Sequence, residues 1–501
     1  MTKTIIISIV ASAMLFGANS TDTTNNQDNH ITGSTLQSNI EVRQGEINIS
    51  GTNTVTNSVT LGGEVHKDSL IDNVTADDAN IAQGTIDISN SRVDGLSVNS
   101  DNKLLNVTIS DELTLKQGTV TITDANKTAA PESDVSNVTF NSENNINSSG
   151  KIQGTGTVVS QGTLDVSNSK LQTAGIYIKN DITGTLSIDG SATNPTKVTQ
   201  GTTAISNDST VTDYNVGTNE GSHLTNSMNN IEATNGATVM QNDAVISNST
   251  VIGLSNVGSN TIDGTNISGG TATQNTIDID SSTVNGMRVS QTNSIEVGSI
   301  TTNQTIKQGD ISIKNGSKVS ELDVDYTNTV GSGFSMGGTT TVEQGILKIN
   351  DSNLSETSEA SLIEITATNT LDNTGLINGG TIVQSKTSIL ADSTVKDMRL
   401  NQQNTIDFAT VDDSNVSNTM DRPTISQAET EITGSKVTDF EQDVKNNIKG
   451  VKVTESSITQ SKVYIANSTV DSLTMNEDDN IVENSTLDHA TVSQGGVSIT
   501  D

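Results

Sequence analysis

The chain has 501 residues, with 59 Asp and Glu against 25 Lys and Arg, a formal net charge of −34, no Cys and no Trp. Such an acidic surface excludes nucleic acid and anionic membranes as favoured partners, and the missing thiols exclude disulfides. Five Phe and four Tyr leave little bulk for a large globular core. Low hydrophobicity with high charge is also the composition of disordered chains, so the argument for a fold has to come from the order of the residues.

In chain order, residues 1–20 read as a cleaved secretory signal. Lys3 supplies the positive start, Ile5 to Phe16 the apolar stretch, and Ala18 and Ser20 the small residues before a cut at Thr21. No later apolar run is long enough for a membrane helix, which makes the expected location extracellular or at the cell surface. Residues 21–43 form an N-terminal segment with the length of an assembly strand and its turns. Residues 44–501 form a repeat array.

The array is marked by thirteen glutamines spaced 33 to 44 residues apart: Gln44, Gln83, Gln117, Gln161, Gln200, Gln241, Gln274, Gln308, Gln344, Gln384, Gln427, Gln460 and Gln494. Five positions after each comes Ile in twelve cases and Val166 in the other, and two positions before each comes an aliphatic residue. Residues two apart share a strand face, so the glutamine points inward beside an aliphatic neighbour. The apolar pair three and five positions later has the opposite parity, so the chain has to bend between them. The position after the glutamine is Gly in eight of thirteen repeats and otherwise Asn, Ser or Ala, and Gly and Asn tolerate the positive φ of such a corner. Ten or eleven positions on stands a further aliphatic, such as Val251 or Val319, with Ser two residues before it in all but one case.

Short strands with like residues at like offsets predict an all-β fold, a β-solenoid of about 13 repeats. Stacking would place the glutamines in one inward ladder, each amide bonded to those above and below. Whether a repeat makes one large coil or two small ones stays open. Pro131, Pro195 and Pro423 all fall in extended repeats. The repeat from Gln117 lacks the aliphatic at the tenth position, so Asp124 to Ser149 is expected to be an irregular protrusion.

Neither end shows a polar plug, so both are expected to be strand edges. The C-terminal piece of one molecule is expected to complete itself on the N-terminal segment of the next, a heterologous contact that need not close.

Sites for chemistry are sparse. His30, His66, His223 and His489 lack metal spacing, and nucleophile and phosphate-loop motifs are absent, so no enzymatic activity is expected. Asp278 and Asp280 share a strand face, as do Asp323 and Asp325. The pairs Asp77-Asp78, Asp412-Asp413 and Asp478-Asp479 fall in expected turns. Calcium between coils is the one cofactor these carboxylates suggest; paired acids of a polysaccharide-cleaving β-helix are a further reading.

A signal peptide followed by Gln-Gly strand repeats resembles the curlin class of secreted bacterial functional amyloids, through the inward glutamine, the adjacent glycine and the alternation within each strand. The aliphatic interior also resembles β-solenoid adhesin passengers. The resemblance implies an extracellular fibre, biofilm matrix or cell-adhesion role. The partners it implies are further copies of the chain, secretion machinery and surface glycans. A monomeric adhesin binding glycans through its loops is the alternative.

Overall fold

The computed structural model describes 53 strands between Ala13 and Thr500. It describes the surroundings of Gln44, Leu70 and residues 80–90, 93–94, 97–106, 114–124, 134–147, 157–183, 196–214, 224–229, 237–264, 270–296, 304–331, 340–354, 363–372, 380–407, 424–449, 457–476, 480–483 and 491–500. Among the described residues there is no helix. The chain divides into two compact units, Met1–Ser259 and Asn260–Asp501.

Each unit is a stack of coils with all strand pairs parallel. In the first unit the strands ending in glutamine pair glutamine over glutamine: Gln83 with Gln44, Gln117 with Gln83, Gln161 with Gln117, Gln200 with Gln161 and Gln241 with Gln200. The second unit repeats this from Gln274 to Gln494. Partners are one repeat apart, so one repeat makes one coil. Parallel pairing demands a crossover between neighbours, and the rest of each repeat supplies it.

Three bends shape a coil. The first follows the glutamine, where every described residue has positive φ, from Gly84 (+60°) to Gly495 (+65°), with Asn242 (+56°), Ser385 (+56°) and Ala428 (+55°) among them. This bend resolves the parity conflict, because the strand turns a corner and both the glutamine and the isoleucine pair point inward. The strand after it, such as Ile311–Lys314, alternates buried and outward residues, with Ile313 fully buried. A second bend comes at Asn90, Asn168, Asn248, Ser281, Asn315 and Asn467. The buried serines follow it. Ser317 Oγ donates to Lys314 O at 2.6 Å and accepts from the Ser282 amide at 3.2 Å, so the hydroxyl holds its own turn and the preceding coil. The third bend, at Thr173, Asp213, Glu321, Asp397 and Asp439, lies inside or beside the longest strands. Side chains other than Gly and Asn reach positive φ with difficulty, and ladder hydrogen bonds on both sides hold them there.

Between bends the interior is aliphatic. Val319, Leu354, Val395 and Val437 stack in register, each at most 2% exposed. One expectation needs correction. The repeat from Gln117 does carry its aliphatic: Val135 pairs with Val93 on one side and Leu171 on the other and is fully buried. Asp134–Ile152 is a continuous strand rather than a protrusion. The insertion is confined to 125–133, outside the described residues, and it displaced the aliphatic from its usual offset. Pro131, Pro195 and Pro423 also lie outside the described residues.

Candidate functional site

The glutamines form a buried hydrogen-bonded ladder in each unit. Gln44 is 1% exposed and the next eleven glutamines are fully buried, while Gln494 is exposed. In the first unit Nε2 of Gln83, Gln117, Gln161, Gln200 and Gln241 donates to Oε1 of the glutamine one coil earlier, at 2.7–2.9 Å. In the second unit Gln308, Gln344, Gln384, Gln427, Gln460 and Gln494 do the same. The second N–H turns to a backbone carbonyl of the same coil, as from Gln308 to Thr329 O at 3.1 Å and from Gln200 to Ser227 O at 3.2 Å. These amides thus tie two coils together and brace the far wall of their own, while Gln117 and Gln494 reach the carbonyls of Asn102 and Asn480 in the preceding coil.

Beside this ladder runs a second one that the sequence reading missed. Asn102 Nδ2 donates to Asn144 Oδ1, Asn144 to Asn180 and Asn180 to Asn226, at 2.7–2.8 Å. In the second unit the donors run Asn260, Asn293, Asn328, Asn369, Asn404 and Asn446, the last donating to Asn480 Oδ1, at 2.7–2.9 Å. The asparagines donate toward the C-terminal neighbour and the glutamines toward the N-terminal one. Two rows of aligned amide dipoles therefore oppose each other, and neither accumulates an uncompensated field along the stack. The glycines that follow a glutamine at Gly84, Gly118, Gly162, Gly201, Gly309 and Gly345 lie against the asparagine row, with a Cβ on each meeting an asparagine side chain within about 3 Å. At Ser385 the hydroxyl bridges two members of the asparagine row, accepting from Asn369 at 2.8 Å and donating to Asn404 at 2.7 Å.

A sequence signal for this ladder existed. An Asn stands 19 or 20 residues after the glutamine in eight repeats, with an aliphatic two positions later, as in Asn293 and Ile295. In Asn144, Asn226 and Asn369 the spacing grows to 25–27 because of insertions. The variable offset hid the column.

Among the described residues, the strand Val497–Thr500 differs from its counterparts in the other coils. Val497 is 62% and Ile499 71% exposed, whereas their column partners Val463 and Ile465 are 1% and 5% exposed. Val497–Thr500 pairs on one side with Val463–Ala466 and has no strand on its other side among the described residues. Gln494 Nε2 donates back to Gln460, and by the ladder's sense its Oε1 faces off the coil.

The carboxylates occupy outer faces. Asp278 and Asp280 lie on Ile277–Asp280, and Lys314 of the next coil approaches them at 2.7 and 3.9 Å. Asp280 sits below the usual carboxylate range, chiefly because the Asn315 side-chain amide donates to it at 2.8 Å, with Ser281 and Lys314 adding to the effect against desolvation. Asn315→Ala is expected to return the Asp280 pKa toward 3.8, read by carboxyl NMR titration. The sign follows from the lowered value: the stabilisation is present at neutral pH and disappears as pH falls through the folded-state pKa. An unmoved titration in the variant would remove Asn315 as the cause. Asp323 and Asp325 share the outer face of Lys318–Gly331, with Arg288 3.7 Å from Asp323.

Local lysine and arginine partners thus face three of these four acids. No group of three or more His, Asp or Glu gathers around a common point among the described residues. Asp77-Asp78 and Asp478-Asp479 fall within strands at register shifts rather than in turns. Asp412-Asp413 and the surroundings of His30, His66, His223 and His489 lie outside the described residues. Against known proteins, no family model matches the chain, and no curated protein matches its sequence.

Proposed function

We propose that this chain is an exported structural protein whose copies stack head to tail into an extracellular fibre or matrix. The observation that carries the reading is the strand Val497–Thr500, where Val497 and Ile499 stand in water although their column partners Val463 and Ile465 are buried. An exposed flat strand edge with apolar residues pairs readily with another chain. The interior supports the same reading. The glutamine ladder repeats from coil to coil and the asparagine ladder does so from Asn102 to Asn226 and from Asn260 to Asn480, so a further coil adds hydrogen bonds and apolar contacts of the kind already present.

Charge opposes assembly. Copies carrying a formal −34 each repel at long range, and that repulsion is screened beyond about 8 Å at physiological ionic strength. Assembly is therefore expected to speed up with salt, and with calcium beyond its ionic strength if acids at the joint bind it. The test is negative-stain electron microscopy of purified Thr21–Asp501 after incubation, with and without calcium at matched ionic strength. Long uniform fibres are expected. Discrete particles of constant size under both conditions would sink the reading and favour a monomeric adhesin.

A further inference from the structure

We infer that Val497–Thr500 of one copy takes, on Ile47–Ser50 of a second copy, the register that Ala13–Phe16 holds within one chain. The inference rests on the fibre reading and adds the joint to it. Ala13–Phe16 pairs in parallel with Ile47–Ser50, Ala13 opposite Ile47 and Leu15 opposite Ile49. This strand lies inside the segment read as a cleaved signal. Removing residues 1–20 turns Ile47–Ser50 into an edge while leaving the rest of that coil, through Ile40–Gln44, in place.

Val497–Thr500 is the matching piece. It occupies the same column of the coil as Ala13–Phe16, since both columns pass through the strands that follow a glutamine corner. Val497 would lie over Ile47 and Ile499 over Ile49.

The glutamine ladder continues across the same joint, and the asparagine column resumes there before Ser69 interrupts it one coil on. Gln44 follows Gln494 in the glutamine column, and the donor sense of that column places the Gln44 amide nitrogen over Gln494 Oε1. Asn29 pairs with Ser69 and Ser69 with Asn102, so Asn29 falls in the asparagine column, and Ile31 falls in the column of Leu104. Asn480 of one copy is then followed by Asn29 of the next. Ladder polarity and parallel pairing admit this head-to-tail order alone; a head-to-head contact would oppose donor to donor.

The test uses the absence of native cysteine. Neighbouring strands lie about 4.8 Å apart, inside the Cα separation that a disulfide accepts. Asn48 pairs in register with Asp87, which is exposed, and Ser498 is exposed at the equivalent position after its glutamine. Thr21–Asp501 carrying Asn48→Cys and Ser498→Cys is expected to give a ladder of covalent multimers on a non-reducing denaturing gel, collapsed by reductant. Each single variant should stop at dimers. Ser498→Cys with Thr121→Cys, two coils inward, should also give no ladder.

Fibres without a ladder from the Asn48 and Ser498 pair would overturn this joint and leave the fibre reading standing. No fibres from unsubstituted Thr21–Asp501 and no ladder would overturn both. In Met1–Asp501 the leader strand holds the same register, so the ladder should weaken several-fold; an equal ladder would overturn the shared register.

Discussion

Replacing Gln308 by Leu is expected to cost about 1–3 kcal/mol of stability. The side chains are similar in volume, so no large cavity forms and the loss is one of hydrogen bonding. Gln308 is fully buried, donates to Gln274 Oε1 at 2.7 Å and to Thr329 O at 3.1 Å, and accepts from Gln344 Nε2 at 2.8 Å. Leucine removes all three bonds and leaves the Gln274 oxygen and the Thr329 carbonyl without these donors in an interior that water does not reach. Gln344 retains long bonds to Asn328 O and Thr370 O, both 3.3 Å, which softens the effect on that side.

Stacked repeats unfold with limited cooperativity, so a global melt can dilute a local loss. Hydrogen exchange at the amides of 305–308 and 341–344 is the sharper measurement, and faster exchange confined to those coils is expected. Gln494→Leu is the control: Gln494 is exposed, and the change should move stability by much less. Equal, small effects at both positions would show that the ladder contributes nothing measurable.

Gly309→Val is expected to be more damaging, about 2–5 kcal/mol, from left-handed strain and overpacking together. Gly309 has φ +67°, and a Cβ there would stand 2.7 Å from Tyr326 Cδ2 and 2.8 Å from Asn328 Nδ2. Tyr326 is 1% exposed and Asn328 belongs to the asparagine ladder, so neither can retreat without breaking packing or a bonded row. Gly316 provides the comparison. Its φ is +77°, but nothing lies within 4 Å of its added Cβ, so Gly316→Asn should be tolerated. Chemical denaturation of the two variants against the parent measures the difference. A Gly309 variant as stable as the Gly316 variant would mean that conformation alone, and not the approach to the ladder, selects glycine after the glutamine.

The glutamine ladder was legible because its neighbours in sequence are its neighbours in the strand. An aliphatic two residues before, a turn former one after and Ile five after recur at invariant offsets, and no insertion falls within that window. The asparagine ladder was not legible, because insertions such as 125–133 lie between the glutamine and the asparagine and change their spacing. For the same reason the sequence placed a protrusion across Asp124–Ser149, where Asp134–Ile152 runs as a continuous strand.

The outer carboxylates show a different limit. Strand alternation placed Asp278 and Asp280 on one face, but Lys314, whose ammonium lies 2.7 Å from Asp278, is 36 residues away. That juxtaposition depends on repeat length, which sets which residue stands above which.

What the sequence determined by itself was therefore local and periodic: strands, corners after each glutamine, an inward amide and an all-β stacked fold. These follow from period-two alternation and the φ freedom of a few residues, which a single strand already contains. Only the tertiary structure decided that one repeat is one coil, that a second amide row runs against the first, and that Val497 and Ile499 are exposed over buried Val463 and Ile465. Each of those depends on which residues lie one coil apart, and that distance is set by the register of whole repeats rather than by any short stretch of chain.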